Sequence, residues 1–586
     1  MTEALETPTP RLPGGNGPGA GKDRNPAGRP GGLGGGLGGG LGGRFGPLLG
    51  LSLLIAALLA IPIVSVVGSV FAEGQGTWAH LAETVLPRYL WNTVWLVLGV
   101  GLGVSTIGVT TAWLITMCRF PGRRVFEWAM ILPLAVPAYV MAYAYTDFLQ
   151  FSGPLQSLLR ELTGWSRQDY WFPSVRSLGG AIAMLSLVLY PYVYLLARTA
   201  FLEQSVCALE VSRTLGCSAW GSFHRVALPL ARPAIAAGTA LALMETLADY
   251  GTVAFFGVQT FTTGIVRAWI SFGDRIAAAQ LATTLLGFVL VILLLERWSR
   301  GRARYHHTSS RYQNLPGYKL RGLRAGLATL ACGLPLLLGF LLPAAILLDL
   351  LSQVEGPVLS GRFLDLALNS FTLAALTAIL AVVLAMIMAY AVRLSPGALG
   401  VFAVRFASLG YAVPGIVIAV GVLIPFATLD NAVDAWMRRS FGVSTGLLLT
   451  GGIAALVFAY LVRFLAVSLN TVDASLSKIR PSMEDAARSL GEGPIGTVLR
   501  VHAPLMFGGL LSAGLLVFVD VMKELPATLV MRPFNFDTLA VQAYNYASDE
   551  RLAESALPAL TIVAVGVLPV ILLSRAISRA RPGGGA

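Results

Sequence analysis

The stretch PLLGLSLLIAALLAIPIVSVVGSVF, from Pro47 to Phe71, contains no charged residue, and as a helix it is long enough to cross a hydrocarbon core of about 30 Å. It has no polar face to leave in water, so it reads as a membrane span rather than as the surface helix of a soluble domain. It is too long for a signal-peptide core and follows a long tail, so it is expected to be a retained anchor; cleavage after Ala72 is the alternative.

The rest of the chain extends this reading. Of 586 residues, 55% are hydrophobic and only 12% are charged, against roughly 25% charged in soluble domains; mean hydropathy is +0.71. Apolar windows fall at roughly 47–71, 91–117, 128–150, 177–200, 233–248, 277–296, 325–351, 366–392, 402–428, 445–468, 503–522 and 556–574. The expected fold is an all-α integral membrane protein of about twelve transmembrane helices.

The formal charge of +12 could suggest nucleic acid, but the Lys and Arg residues are spread over many polar segments, most of them on the side of the amino terminus. That bias places both termini in the cytoplasm and makes the charge topological. A nucleic-acid partner is not expected. The basic stretch Arg297 to Arg324, with His306 and His307, reads as a topology anchor and linker. Cys118, Cys207, Cys217 and Cys332 form no CxxC pair and support neither a zinc site nor a disulfide framework. Residues 1–45, with GGLGGGLGGGLGG from Gly31 to Gly43, cannot bury enough apolar surface to fold and read as a disordered tail. Within that tail, GPGAGKD at Gly17 to Asp23 fails as a phosphate loop. Asn16 stands where its first Gly would be, and Lys22 is followed by Asp23 instead of Ser or Thr. The chain is expected to bind no cofactor and catalyse no covalent reaction, so any ATP-driven step needs a separate subunit.

The chain also repeats itself. Asn92-Thr93 matches Asn369-Ser370, Ala112-Trp113 matches Ala389-Tyr390 and Pro137 matches Pro414, all at an offset of 277 residues. Further on, at 275, Arg213-Thr214-Leu215-Gly216 matches Arg488-Ser489-Leu490-Gly491, Glu245 matches Asp520, and Asp249 matches Glu524. The expected organisation is a tail at 1–45, a six-helix repeat at 46–296, the linker at 297–324, a second six-helix repeat at 325–575 and a cytoplasmic tail at 576–586. With six helices each, the halves enter the membrane in the same direction, and a pathway between them follows. Pro133, Pro137, Pro414 and Pro425 inside spans read as kinks near that pathway.

Between the fourth and fifth spans of each half lies a polar segment: EVSRTLGCSAWGSFHRVALP from Glu210 to Pro229, and DAARSLGEGPIGTVLRVHAP from Asp485 to Pro504. In both, an acid precedes Gly by six residues, Val follows it by ten and Pro comes three later. This reads as a short helix, a turn at Gly216 or Gly491, a second short helix, and a proline opening the next span. Each half then places two acids one helical turn apart near the outer end of its fifth helix, Glu245 with Asp249 and Asp520 with Glu524. Ionisable groups near membrane depth usually face a bundle interior or water. Two readings stand: an acidic mouth of hard oxygen ligands suited to a hard cation without a permanent tight metal site, or acids neutralised as hinge ion pairs by Lys523 and nearby Arg residues or used for docking. Tyr250 and Lys523 break the symmetry between the pairs.

The polar segments resemble the EAA loops of the permease subunits of ATP-binding-cassette importers, whose pattern is EAA, three residues, Gly, nine residues, Ile, one residue, Leu-Pro. The first copy departs with Val211 and Ser212 for the two Ala, the second with Asp485 for Glu and Ala503 for Leu. Such loops dock on nucleotide-binding subunits, so the resemblance implies two copies of an ABC ATPase, with ATP-Mg bound by that partner. The stretches TLADYGTVAFFGVQTFTTGIVRAW (Thr246–Trp269) and MKELPATLVMRPFNFDTLAVQAYNYASDERLAESALP (Met522–Pro558) look like the fused permeases of ferric-iron importers. That resemblance implies an extracytoplasmic ferric-iron-binding protein, a bacterial inner-membrane location, and rocking of the halves about a central pathway. Related fused permeases are associated with thiamine or phosphonates. A twelve-helix secondary transporter is the competing class, but it has no use for the two loops.

Overall fold

The computed structural model describes residues 46–72, 77–203, 214, 216, 218–300, 318–354 and 359–579. The fold is all-α. Among the described residues the one sheet is a two-residue parallel pair, Cys118–Arg119 with Tyr318–Lys319, which ties the linker's end to the loop after the second span.

In the first half, α1 (Pro47–Gly68), α2 (Leu86–Met117), α3 (Ala138–Leu149), α4 (Leu178–Glu203) and α5 (Leu228–Ala248) are followed by the short helices α6 (Gly251–Phe255) and α7 (Phe261–Val266) and then by α8 (Arg275–Arg300). The second half repeats the order with α9 (Leu323–Leu336), α10 (Gly361–Leu394), α11 (Gly415–Phe441), α12 (Ala454–Leu476), α13 (Phe507–Met522), α14 (Pro526–Met531), α15 (Leu539–Ser548) and α16 (Leu552–Arg579). Ten helices among the described residues are long and apolar enough to cross a membrane, or twelve if each of two bent pairs is one span.

The repeat extends to individual hydrogen bonds. Asn92 Nδ2 donates to the Gln259 carbonyl at 2.8 Å, and Asn369 Nδ2 donates to the Asp537 carbonyl at 3.1 Å, each tying its half's second helix to the irregular segment before the last. Pro137 and Pro414 do not kink continuous helices as the sequence reading expects. Each is the extended N-cap of the next helix, after a 3-10 turn at Leu132–Ala135 or Leu409–Ala412. In the first half the helices on either side of this break, Arg123–Ala135 and Ala138–Thr163, differ by 92°. Pro425, by contrast, sits inside the continuous helix α11.

Small residues set the helix contacts. A Cβ on Gly99 would lie 2.6 Å from Ile182, on Gly103 2.3 Å from Ser186, and on Gly108 2.7 Å from Val193, so α2 and α4 approach to backbone distance, as membrane helices do through small residues. The first helix of each half packs on the other half. A Cβ on Gly421 of α11 would lie 2.3 Å from the Pro62 carbonyl of α1. On the other side, the Tyr145 hydroxyl of α3 donates to the Leu338 carbonyl, beyond α9, at 2.6 Å. The halves therefore embrace, and the interface between them surrounds a central cavity.

Candidate functional site

The cavity is built where α5 and α13 stop. Helix α5 ends at Ala248, and Asp249 turns the chain into extended backbone. Its carboxylate accepts hydrogen bonds from the Thr252 and Val253 amides at 3.1 and 3.2 Å and from the Thr252 hydroxyl at 2.9 Å. Glu524 does the same after α13, accepting from the Ala527 amide at 2.9 Å, the Thr528 amide at 3.0 Å and the Thr528 hydroxyl at 2.6 Å. Both acids satisfy backbone donors at the start of the short helices α6 and α14, which otherwise have no partner there. Glu245 and Asp249 thus do not share one helix face, and neither do Asp520 and Glu524, because the second acid of each pair lies past the helix end.

All six residues singled out in the sequence near these helix ends, Glu245, Asp249, Tyr250, Asp520, Lys523 and Glu524, line one cavity of about 110 Å³. Arg463, from the middle of α12, also lines it and is 7% exposed. Its guanidinium lies 3.3 Å from Glu245 of the first half and 3.7 Å from Glu524 of the second. Lys523 pairs with Asp520 at 2.8 Å. Gly415 makes room for this arrangement, since a Cβ there would lie 2.6 Å from Glu524 Oε1 and 2.9 Å from Arg463 Nη1.

Tyrosines complete the wall and link the halves. The hydroxyls of Tyr192 and Tyr411 are 3.3 Å apart, those of Tyr250 and Tyr544 are also 3.3 Å apart, and the Tyr139 hydroxyl donates to the Lys523 carbonyl at 3.5 Å. Four carboxylates face two cations here, a formal balance of −2. Among the described residues no three of His, Cys, Asp and Glu converge as a ready-made metal site.

The two polar segments between the fourth and fifth spans differ in how they are anchored. Glu210 lies outside the described residues. Gly216 and Gly491 both hold positive φ, +80° and +85°, in the left-handed region that glycine adopts without a Cβ penalty. Pro229 and Pro504 stand in the first turns of α5 and of the short helix 503–505. The second short helix of the first segment runs through a π-turn at Phe223–Ala227 into α5, whereas the second segment is bent by 81° at Met506 before α13.

Underneath, Phe223 of the first segment packs against Trp113 of α2, ring centroids 4.8 Å apart. Its counterpart in the second half is ionic. Glu484, 5% exposed, lies 2.5 Å from Arg393 and 3.1 Å from His502. Asp485, the acid matched to the loop pattern, is exposed and 3.5 Å from Arg488. Sequence reading passed over Arg463, Glu484 and the cross-half tyrosines. The signal for Arg463 was present: a lone arginine inside the apolar run AYLVRFLAV (Ala459–Val467) marks an intramembrane ionisable group.

Comparison with known proteins adds to this geometry. Residues 104–304 match the family described as the binding-protein-dependent transport system inner membrane component. The chain is 27% identical over 496 residues to an Fe(3+)-transport system permease protein of Haemophilus influenzae, covering 84% of this chain and 90% of that one. It is 23% identical over 525 residues to a probable ABC transporter permease protein of Sinorhizobium fredii, covering 84% and 88%. A shorter match, 28% over 206 residues, is to the molybdenum transport system permease protein of Escherichia coli, covering 33% of this chain and 87% of that one.

Proposed function

Because the chain is a fused, two-repeat permease of the binding-protein-dependent ATP-binding-cassette importer family, similar to ferric-iron transport permeases, we propose that it conducts ferric iron into the cytoplasm. The observation that carries this reading is the chemistry of the central cavity. Its polar wall is made of carboxylates and phenol oxygens with a formal excess of two negative charges, the donor set that suits a hard, highly charged cation. An oxyanion cargo would meet those same carboxylates as like charges, with Arg463 and Lys523 already engaged by acids.

In this reading a binding protein delivers iron at the outer face, and two copies of an ATPase dock on the segments around Gly216 and Gly491. ATP-driven closure is transmitted to the halves, which rock about the cavity. The cross-half contacts of Tyr192 with Tyr411, Tyr139 with Lys523, and Arg463 with Glu245 are those the rocking has to break. This chain's own part is binding, charge compensation and movement, with hydrolysis left to the partner.

The test is uptake of labelled ferric ion, molybdate and thiamine in cells lacking this chain, with and without its restoration. Restoration of ferric uptake alone supports the assignment. Restoration of molybdate or thiamine uptake in its place leaves the importer architecture standing and overturns the cargo.

A further inference from the structure

Arg463 sits farther from its acids than Arg393 and Lys523 sit from theirs. Arg393 lies 2.5 Å from Glu484, and Lys523 lies 2.8 Å from Asp520, both closer than Arg463 comes to either of its acids. Arg463, although 7% exposed, reaches its two carboxylates only at 3.3 and 3.7 Å, and its Nε is buried with no hydrogen-bond partner. Glu524 meanwhile has its oxygens satisfied by the Ala527 and Thr528 amides and the Thr528 hydroxyl, so it does not depend on the guanidinium. Two acids from opposite halves share one loosely held cation on the line where the halves meet.

Position adds to this. The guanidinium lines the same cavity as Glu245, Asp249 and Glu524. A fixed positive charge in a narrow pathway is a barrier to cations. Removing it would take the ion-pair partner from Glu245 and Glu524, a costly change in a poorly solvated interior.

We propose that Arg463 is an exchangeable counter-ion. In this conformation it occupies the place of the cargo, and an arriving trivalent cation displaces it from Glu245 and Glu524. The exchange leaves neither Glu245 nor Glu524 without a cation at either stage. It offers the cargo Glu245 and Glu524, one carboxylate from each half, and it bars other cations while no cargo is present. The inference rests on the ferric reading and deepens it, assigning the intramembrane site and the residue that guards it.

The experiment uses the purified full chain in lipid nanodiscs and terbium(III), a hard trivalent probe whose luminescence tyrosine sensitises. Arg463→Gln is expected to bind Tb(III) at least about tenfold tighter than wild type, since one positive charge is removed beside hard oxygen ligands. Arg463→Lys should keep the weak wild-type binding, and Glu245→Gln added to Arg463→Gln should abolish the gain. Unchanged affinity in a folded Arg463→Gln protein overturns the proposal, as does a gain that survives Glu245→Gln. If Arg463→Gln fails to fold, Glu245→Gln alone tests the exchange from the other side. Iron uptake should then fall at least about tenfold, and wild-type uptake overturns the proposal. Failure of the cargo assignment is read separately, as absence of iron uptake by the wild type, whereas failure of the exchange is unchanged Tb(III) affinity in a chain that does import iron.

Discussion

Replacing Glu484 by Gln should loosen the polar segment that carries Gly491 without unfolding the bundle. Its carboxylate is 5% exposed and sits between Arg393 at 2.5 Å, His502 at 3.1 Å and Arg488 at 3.7 Å, joining the helix Pro481–Ser489 to the end of α10 and to the π-turn before α13. Removing one member of a buried ion pair costs about 3–5 kcal/mol. The discount here is large. The Arg393 side chain is 17% exposed and keeps its bonds to the Leu476 and Ile479 carbonyls at 2.5 and 2.6 Å, and Gln retains one acceptor oxygen. A cost of about 2 kcal/mol remains, equivalent to a roughly thirtyfold rise in the population of the undocked segment. Hydrogen–deuterium exchange of peptides covering residues 481–497 reads this directly, as a comparable acceleration of protected amides. Asp485→Asn is the control, because that carboxylate is 70% exposed and 3.5 Å from its partner, a pair worth no more than about 0.5 kcal/mol. Wild-type exchange in Glu484→Gln, or equal acceleration in Asp485→Asn, would refute the assignment of the anchoring role to the buried acid.

Three further outcomes are expected. In Gly216→Ala with Gly491→Ala the added Cβ meets no atom within 4 Å at either site, so the cost is the left-handed backbone, about 1–2 kcal/mol per site; insertion should persist and ATP-driven uptake should fall, with unchanged uptake counting against the docking role. Gly415→Ala puts a Cβ 2.6 Å from Glu524 Oε1 and should reduce uptake in a normally inserted protein, whereas Gly421→Ala collides with the Pro62 carbonyl at 2.3 Å and should lower the yield of assembled protein. Western blots of membrane fractions beside uptake assays separate the two. Asp249→Asn with Glu524→Gln leaves an acceptor oxygen at each helix start but turns an amide group toward backbone donors, at about 1–2 kcal/mol per site; transport should fall further than ATPase assembly, and wild-type transport would reduce both acids to caps.

The sequence made the spans, the repeat and the glycine turns legible because each is local. An uncharged run such as Pro47–Phe71 has only one solvent it can live in, and Gly216 and Gly491 stand at the same place in two matched segments. The break at Pro137 was visible as proline but not as a 92° bend, since proline kinks and proline N-caps look alike in sequence. The embrace of the halves was not legible. It depends on Gly421 meeting Pro62 and on Gly339 meeting Leu187, contacts between spans far apart in the chain. Asp249 and Glu524 were found by their spacing, yet their capping depends on α5 and α13 ending one or two residues earlier, and helix ends are the least predictable feature of a sequence. Glu484 was overlooked because the neighbouring Asp485 fits the loop pattern; burial, which a pattern does not record, separates the two.

The departures from symmetry in the cavity have a physical sense that two unlike halves can use. At the repeat offset of 275 residues, Val188 stands where Arg463 stands, Ala248 where Lys523 stands, and Leu525 where Tyr250 stands. Two copies of the first half would bring four carboxylates and no cation to the axis, and two copies of the second would bring four carboxylates with two arginines and two lysines. For the trivalent cargo proposed above, the first arrangement, with four excess negative charges, holds too firmly for release, and the second, being neutral, offers nothing. Joining unlike halves gives the intermediate balance of four carboxylates against two cations. A pathway has to bind its cargo well enough for entry and weakly enough for exit. Lys523 offsets Asp520 at 2.8 Å, and Arg463 is shared between Glu245 and Glu524 at 3.3 and 3.7 Å, so the four carboxylates are compensated only in part.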